Sequence, residues 1–473
     1  MKKTSRGEAV VINRLQADSW IASNQATWQV AGVLVYALVL AAALYIGFSH
    51  WGYDDPFITY RYAANLSGGM GMVYNPGERV LSTTTPLFAL LLSLLAKAWP
   101  DLPRLAVLMG AASLALGGVF LWDLGRTWKT PLIGWAGLLL YPVFSLVVNT
   151  LGSETPLYLA LCLGAFAFFA RKCYAWAGLF SGLAVLARPD GILAPALLGF
   201  IYILQERLSW QRDTRTALRS VPWKAVAIFF AITLAWFGFA WYYFGSPLPV
   251  TLAAKQGQGA MAISERFAPG FFSIIKWYTA WHYKLEASLA VAGVGLLLWR
   301  ARPWAAILGW TVLYFAAYSF LGVSRYFWYY APLVPGFVVA AGAGLSLLGL
   351  LVSRALKDPV QRWKPAEIFT YGVLVILALA HVNGLVQMRL RPDNRLAIYR
   401  AAGEWLNANT EADDSVGALE VGIIGYYARR PMIDFAGLIQ PEVAAQFKEN
   451  TTYQDTAVWA FERYHPNYLV VMT

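Results

Sequence analysis

The sequence predicts an α-helical polytopic membrane protein with a small α/β unit at its C-terminal end, and three observations carry that prediction. Of 473 residues, 58% are hydrophobic and only 13% are charged, whereas soluble domains are about a quarter charged. Apolar runs long enough to span a bilayer recur along most of the chain, with Trp and Tyr placed for two water interfaces. The formal charge of +11 is unevenly spread, since from residue 389 onward eight Arg and Lys stand against eleven Asp and Glu. The positive excess therefore lies in short loops between apolar runs, which is the pattern of cytoplasmic membrane loops and excludes a basic nucleic-acid-binding face.

The order of elements follows from charge and length. Lys2, Lys3, Arg6 and Arg14 precede the first apolar run at about 28–48, which places the N-terminus in the cytoplasm and the following loop outside. No small-residue cleavage site follows that run, so it reads as a retained helix. Further runs lie near 84–98, 103–124, 131–148, 154–170, 174–187, 192–205, 224–244, 285–299, 303–321, 327–351 and 368–388. If all of them crossed, the basic stretches with Arg207, Arg212, Arg215, Arg219 and Lys224, and with Arg354, Lys357, Arg362 and Lys364, would fall outside. The run 84–98 is short for a span at about fifteen residues, opens with Pro86 and ends at Lys97-Ala-Trp-Pro, and is expected to lie along the outer interface. Eleven spans remain, and Arg126/Lys129, Arg171/Lys172 and Arg300/Arg302 then fall inside.

This divides the chain into a membrane module, 1–388, with a first extracytoplasmic loop at 49–102, and an extracytoplasmic α/β domain, 389–473. In the latter, 394–409 has helical spacing, while Ser415 to Glu420, Pro431 to Asp434 and Tyr468 to Met472 read as short strands. Cys162 and Cys173 have no metal-ligand spacing and read as small core residues.

The most informative polar stretch is 52–87, GYDDPFITYRYAANLSGGMGMVYNPGERVLSTTTPL. Asp54 and Asp55 sit just beyond the first span, where like charges side by side raise one another's pKa. The plain alternative is that they start the helix at Pro56, because Asp before Pro is a common helix opening. Gly68, Gly69, Gly71 and Asn75-Pro76-Gly77 then mark a tight polar hairpin before a second helix start at Ser82 to Pro86. Gly69-Met70-Gly71 is no nucleotide fingerprint, because no strand precedes it.

The acidic pair, followed by F-I-x-Y-R-Y-A-x-N-L, G-x-G-x-V-Y-N-P-G-E-R-V and T-x-P-L, resembles the first extracytoplasmic loop of bacterial GT-C membrane glycosyltransferases, nearest the arabinofuranosyltransferase and mannosyltransferase type. That resemblance implies a GT-C fold, a polyprenyl-phosphate sugar donor, and an extracytoplasmic glycan, lipid or protein acceptor. It implies that Asp54 or Asp55 is the base in a single inverting displacement, with a slight preference for Asp54 and with Asp55 nearer the helix start. It is also compatible with a divalent cation, Mg2+ or Mn2+, held by Asp54 and Asp55.

Other polar groups fall on the outward turns. Glu154, in Gly152-Ser153-Glu154, reads as a helix N-terminal acid or, by the resemblance, as a second acid in the cleft. Arg188, in Arg-Pro-Asp-Gly, suits a lipid phosphate or a pairing with Asp190, which itself sits in turn chemistry. Lys255 follows Pro247-Leu-Pro-Val-Thr-Leu-Ala-Ala, where the resembling enzymes have P-x-T-x-x-A-K. Arg325 and Tyr326 open another outward turn, either as donor-phosphate ligands or as part of an interfacial aromatic belt. His282, His381 and His465 have no paired spacing and receive no metal role.

The reading is thus an inverting transferase at the outer face of the cell membrane; the alternative is a polytopic transporter or lipid flippase. A transporter would place charges deep in the membrane and repeat its broken helices, whereas here the acids gather at one surface. Topology is testable with single cysteines in a background lacking Cys162 and Cys173. A cysteine at position 101 is expected to label from outside, and one at 128 only after permeabilisation; the reverse at both positions refutes the topology.

Overall fold

The structure is a computed structural model that describes residues 5–210, 220–355 and 365–471. The basic stretches with Arg212, Arg215 and Arg219, and with Lys357, Arg362 and Lys364, lie outside the described residues. Among the described residues, six helical stretches are long and apolar enough to cross a membrane: Thr27–Phe48, Leu102–Thr127, Trp223–Phe244, Arg302–Leu321, Phe327–Ala355 and Pro365–Arg389. With the shorter helices Thr155–Ala170 and Tyr174–Ala187, and with Leu193–Trp210 and Trp281–Trp299, they form a multi-pass bundle.

Contacts between turns sort the bundle into two ends. Trp304 meets Trp128 edge-on with ring centroids 4.7 Å apart and donates to the Thr130 hydroxyl, while Arg171 pairs with Asp123. The turns carrying Arg126, Lys129, Arg171, Lys172, Arg300 and Arg302 therefore share one end. At the other end the Arg104 guanidinium lies 3.3 Å from the His50 imidazole. The chain leaves after Phe48 and re-enters at Leu102 on the same side. Between them the helix Pro86–Ala96 has 11 residues, about 16 Å at 1.5 Å per residue and well short of a hydrocarbon core.

The apolar run 131–148, expected as one span, is instead a helix Pro131–Leu140, a 3-10 turn Tyr141–Val143 and a short helix Ser145–Val148. Pro142 explains the break, since it has no N–H to donate and its ring crowds the preceding turn. The interruption is tolerated at that depth because Tyr141, Val147 and Val148 are fully buried in protein. Cys162 is buried as expected, but Cys173 is exposed at its turn.

Helices Trp281–Trp299 and Val334–Ala355 pack backbone to backbone. A Cβ at Gly293 would lie 1.9 Å from the Ala340 carbonyl oxygen, and one at Gly344 would lie 1.9 Å from that of Leu289. Small residues permit such close approach where no solvent drives helices together. Beside this seam Glu286 and His381, both buried, meet at 2.8 Å and tie Trp281–Trp299 to Pro365–Arg389.

The C-terminal part forms a three-stranded parallel sheet from β1 (Val416–Ala418), β2 (Met432–Asp434) and β3 (Tyr468–Val470), in the order β2-β1-β3 with Val416 opposite both Met432 and Tyr468. Parallel pairing needs crossovers, supplied by helices Ile423–Ala428 and Tyr453–Tyr464, the latter opened by a reciprocal Thr452–Asp455 capping box. The strands lie inside the three expected segments, and the helix Arg395–Asn409 precedes them.

This sheet unit docks on the first loop through one side chain. Arg61, on the helix Asp54–Ser67 and only 5% exposed, donates to the carbonyls of Tyr74 (2.9 Å), Gly425 (2.8 Å) and Arg430 (2.6 Å), with Tyr74 also under its guanidinium. Asn75 adds a bond to the Met432 carbonyl. Arg61→Ala leaves three buried carbonyls without a charged donor and is expected to cost roughly 3 kcal/mol or more. A lower melting temperature in detergent and faster proteolysis after about residue 390 are the expected readouts; unchanged values refute the clamp.

Candidate active site

The first loop, the stretches at 154, 188–193, 248–256 and 317–329, and Leu438 of the sheet unit converge on a cavity of about 540 Å³ at the end of the bundle that holds His50 and Arg104. Asp55, Glu154, Arg188 and Lys255 all line it. Each reaches it for a local reason. Asp55 sits in the first turn of the helix Asp54–Ser67, Glu154 is the cap residue of Thr155–Ala170, Arg188 ends Tyr174–Ala187, and Lys255 lies on the helix Val250–Ala260 that follows a left-handed turn at Gly245.

The central contact is the ion pair of Lys255 Nζ with Asp55 Oδ2 at 3.1 Å. The ammonium also lies 3.8 Å from the centre of the Tyr326 ring and 5.7 Å from that of Trp328, a geometry that stabilises a desolvated cation. Burial pulls the Lys255 ammonium down, but Asp55 and the surrounding hydroxyls more than offset this, so it is held above its ordinary value. Tyr326 is fixed in turn, donating to the Gln258 side-chain carbonyl at 2.8 Å, and Gln258 donates to the Ala436 carbonyl at 2.9 Å.

Asp54 turns elsewhere. Its two oxygens accept the backbone N–H groups of Gly422 at 2.9 Å and Ile423 at 2.7 Å, at the start of Ile423–Ala428. Adjacent residues on a helix are about 100° apart, so one acid meets the sheet unit while the other meets the cavity. The expected preference for Asp54 as the group facing substrate, with Asp55 occupied at the helix start, is therefore reversed by the geometry. Only glycine fits at 422, where a Cβ would lie 2.0 Å from the Asp54 carbonyl oxygen. Burial and the neighbouring Glu420 push the Asp54 carboxyl well above its usual range, and burial with Asp55 also raises Glu420. Glu420 has no motif of its own; in sequence it is only the last residue of the expected strand Ser415 to Glu420, and it lies just beyond the observed one.

Arg188 is enclosed. It makes a fork to Asp190 at 3.0 and 3.1 Å, donates to Thr155 at 3.1 Å and to Tyr318 at 2.7 Å, and lies 3.7 Å from Glu154. Burial lifts Glu154 above the ordinary carboxylate range and Arg188 opposes that lift. Arg325 does not line the cavity. Its guanidinium pairs with Glu265 on the preceding loop, and the Tyr326 ring faces the Lys255 ammonium.

A divalent cation does not fit the acid pair. Both Asp54 oxygens are taken by backbone donors, and the charge that would balance Asp55 is supplied by Lys255. Among the described residues no group of three His, Cys, Asp or Glu side chains is arranged to hold a metal.

Residues 387–473 match the family model of a domain of unknown function, DUF8728. No curated protein matches the chain in sequence. Among solved structures, the chain is similar to ArnT from Cupriavidus metallidurans bound to undecaprenyl phosphate, with a TM-score of 0.57 and 15% identity over 90% of this chain and 91% of that one. It is also similar to the oligosaccharyltransferase AglB from Archaeoglobus fulgidus in complex with an inhibitory peptide and a dolichol-phosphate, with a TM-score of 0.59 and 14% identity over 93% of this chain and 69% of that one. A second structure of the same archaeal enzyme, tethered to an acceptor peptide, aligns with a TM-score of 0.63 at 15% identity. At these identities the likeness is one of architecture: the chain shares the fold of these proteins.

Proposed function

We propose that this protein is an inverting glycosyltransferase that moves a sugar from a polyprenyl-phosphate donor to a glycan, lipid or protein acceptor outside the membrane. The observation that carries the proposal is the Asp55–Lys255 pair on the wall of a cavity at the edge of the bundle. The shared fold supports it, since ArnT is seen with undecaprenyl phosphate and AglB with dolichol-phosphate. The N-terminus is cytoplasmic, residues 1–388 form the membrane module, and 389–473 form an extracytoplasmic domain that completes the site.

In this reading the acceptor oxygen attacks the anomeric carbon as the bond to phosphate breaks on the opposite face. Asp55 takes the acceptor proton, and Lys255, whose other N–H groups remain for the cavity, neutralises the departing phosphate. Phosphate leaves without a strong acid. Arg188 holds Asp190 and Glu154 in place and adds positive potential at the same wall, and Tyr326 positions Lys255. Asp54 keeps the sheet unit seated.

Incubating purified protein with a panel of polyprenyl-phosphate sugars and measuring released polyprenyl phosphate tests the activity. Asp55→Asn is expected to lower turnover by roughly 10²-fold or more with donor binding nearly intact. Asp54→Asn should act mainly on stability, because an amide accepts on one oxygen where the carboxylate accepts on two. Near-normal turnover in well-folded Asp55→Asn refutes its role as base. Because Lys255 supplies the countercharge, turnover is expected to survive EDTA, and loss restored by Mg2+ or Mn2+ refutes that assignment.

A further inference from the structure

Two aromatic residues on the cavity wall belong neither to the ion pair nor to the Arg188 cluster. Tyr53 arrives from the first loop and Trp328 from the 3-10 turn Phe327–Tyr329, and both line the cavity. Their rings stack, with centroids 4.7 Å apart and planes inclined by 19°. Trp328 stacks in turn on Tyr326, at 4.6 Å and 23°. Phe327 braces this ladder edge-on, 5.1 Å from Tyr53 and 5.1 Å from Trp328. Near-parallel aromatic pairs at these distances are favoured beyond the area they bury and restrict where each ring can sit. The plain reading of Trp328 is one more residue of an interfacial aromatic belt, but its ring is only half-exposed and is spent on two other rings.

The ends of the ladder are attached to the two members of the ion pair. Tyr53 is the cap residue of the helix Asp54–Ser67, two positions before Asp55 and in extended backbone. Tyr326 carries the Lys255 ammonium 3.8 Å from its ring centre. With the Asp55–Lys255 contact at 3.1 Å, the path Asp55, Tyr53, Trp328, Tyr326, Lys255 closes on itself.

The chemistry of the transfer opens one link of that circuit. When Asp55 takes the acceptor proton it loses its charge, and Lys255 turns to the departing phosphate. The ion pair then no longer sets the spacing between base and cation, whereas ring stacking is indifferent to the protonation of Asp55 and persists.

Resting on the transferase reading above, we propose that Trp328 is a positioning residue: stacked on Tyr53 and Tyr326, it keeps Asp55 and Lys255 at their working separation once their ion pair has opened.

The test uses the full chain in detergent with a polyprenyl-phosphate sugar that the wild-type protein turns over, reading kcat and KM from released polyprenyl phosphate and the melting temperature alongside. Trp328→Leu removes the ring and should lower kcat about tenfold or more with little change in KM, because the loss falls on the reacting state. Trp328→Phe keeps a ring to stack and should restore most of kcat. Tyr53→Leu breaks the ladder from its other end and carries the same test should Trp328→Leu fail to fold. The double variant should be no slower than the slower single one, since both open one circuit, whereas unconnected packing defects multiply. A pH profile separates positioning from packing. The titratable groups facing Lys255 are Asp55, Glu420, Tyr326, Tyr329, Tyr453 and Asp434, and Trp328→Leu retains them all. Freeing Tyr326 withdraws aromatic stabilisation from the ammonium, so its pKa falls and the alkaline limb of kcat/KM should move to lower pH, returning in Trp328→Phe. Wild-type kcat in Trp328→Leu, a loss that Trp328→Phe does not restore in folded protein, multiplying losses in the double variant, or an unmoved alkaline limb overturns the role given to Trp328 and leaves the transferase reading standing. No release from any polyprenyl-phosphate donor by wild-type protein overturns the transferase reading itself, and this role with it.

Discussion

A buried guanidinium must find oxygen, and Arg61 finds it only where two distant parts of the chain meet. It pairs with no carboxylate among the described residues; its partners are carbonyls at Tyr74 in the first loop and at Gly425 and Arg430 in the sheet unit. Removing either side would strand a desolvated charge, a far greater penalty than one lost hydrogen bond. The sheet unit is thereby made part of the membrane module. Once it is seated, Asp54 receives the Gly422 and Ile423 N–H groups, Gln258 reaches Ala436, and Leu438 becomes part of the cavity wall.

That seating also explains how a buried lysine is held in the cavity wall. Lys255 is matched by one carboxylate and two aromatic faces. The aromatic ring nearest it is fixed by Gln258, which is fixed by the sheet unit. The Asp55–Lys255 pair is thus held in place by a chain of neutral bonds that cost no charge desolvation of their own.

Much of the architecture was legible because it follows from one-dimensional signals. Hydropathy and basic turns give the membrane class, the short apolar run at 84–98 gives the 11-residue helix seen there, and short apolar segments between helical ones give the strands. The first loop stood out through Asp54, Asp55 and its glycines. What the sequence did not disclose depends on where side chains point. Two adjacent acids look alike until a partner 368 positions away claims one of them. Arg325 looked like a phosphate ligand because Glu265, its partner, lies 60 residues earlier. Pro142 was visible as a helix breaker, but the length of the apolar run around it masked the consequence.

The close contact at Gly422 has a consequence for how the protein is made. A chain emerging from the ribosome inserts its spans in order, and the first loop, with Asp54 and Asp55, is delivered long before residue 422 exists. Until then Asp54 has no backbone donors, Tyr326 has no anchored glutamine and the cavity lacks one wall. The surroundings of Asp54 and Asp55 are consequently completed only once the sheet unit has been synthesised. A nascent chain that has not yet reached Gly422 carries both acids without the contacts that hold them in place.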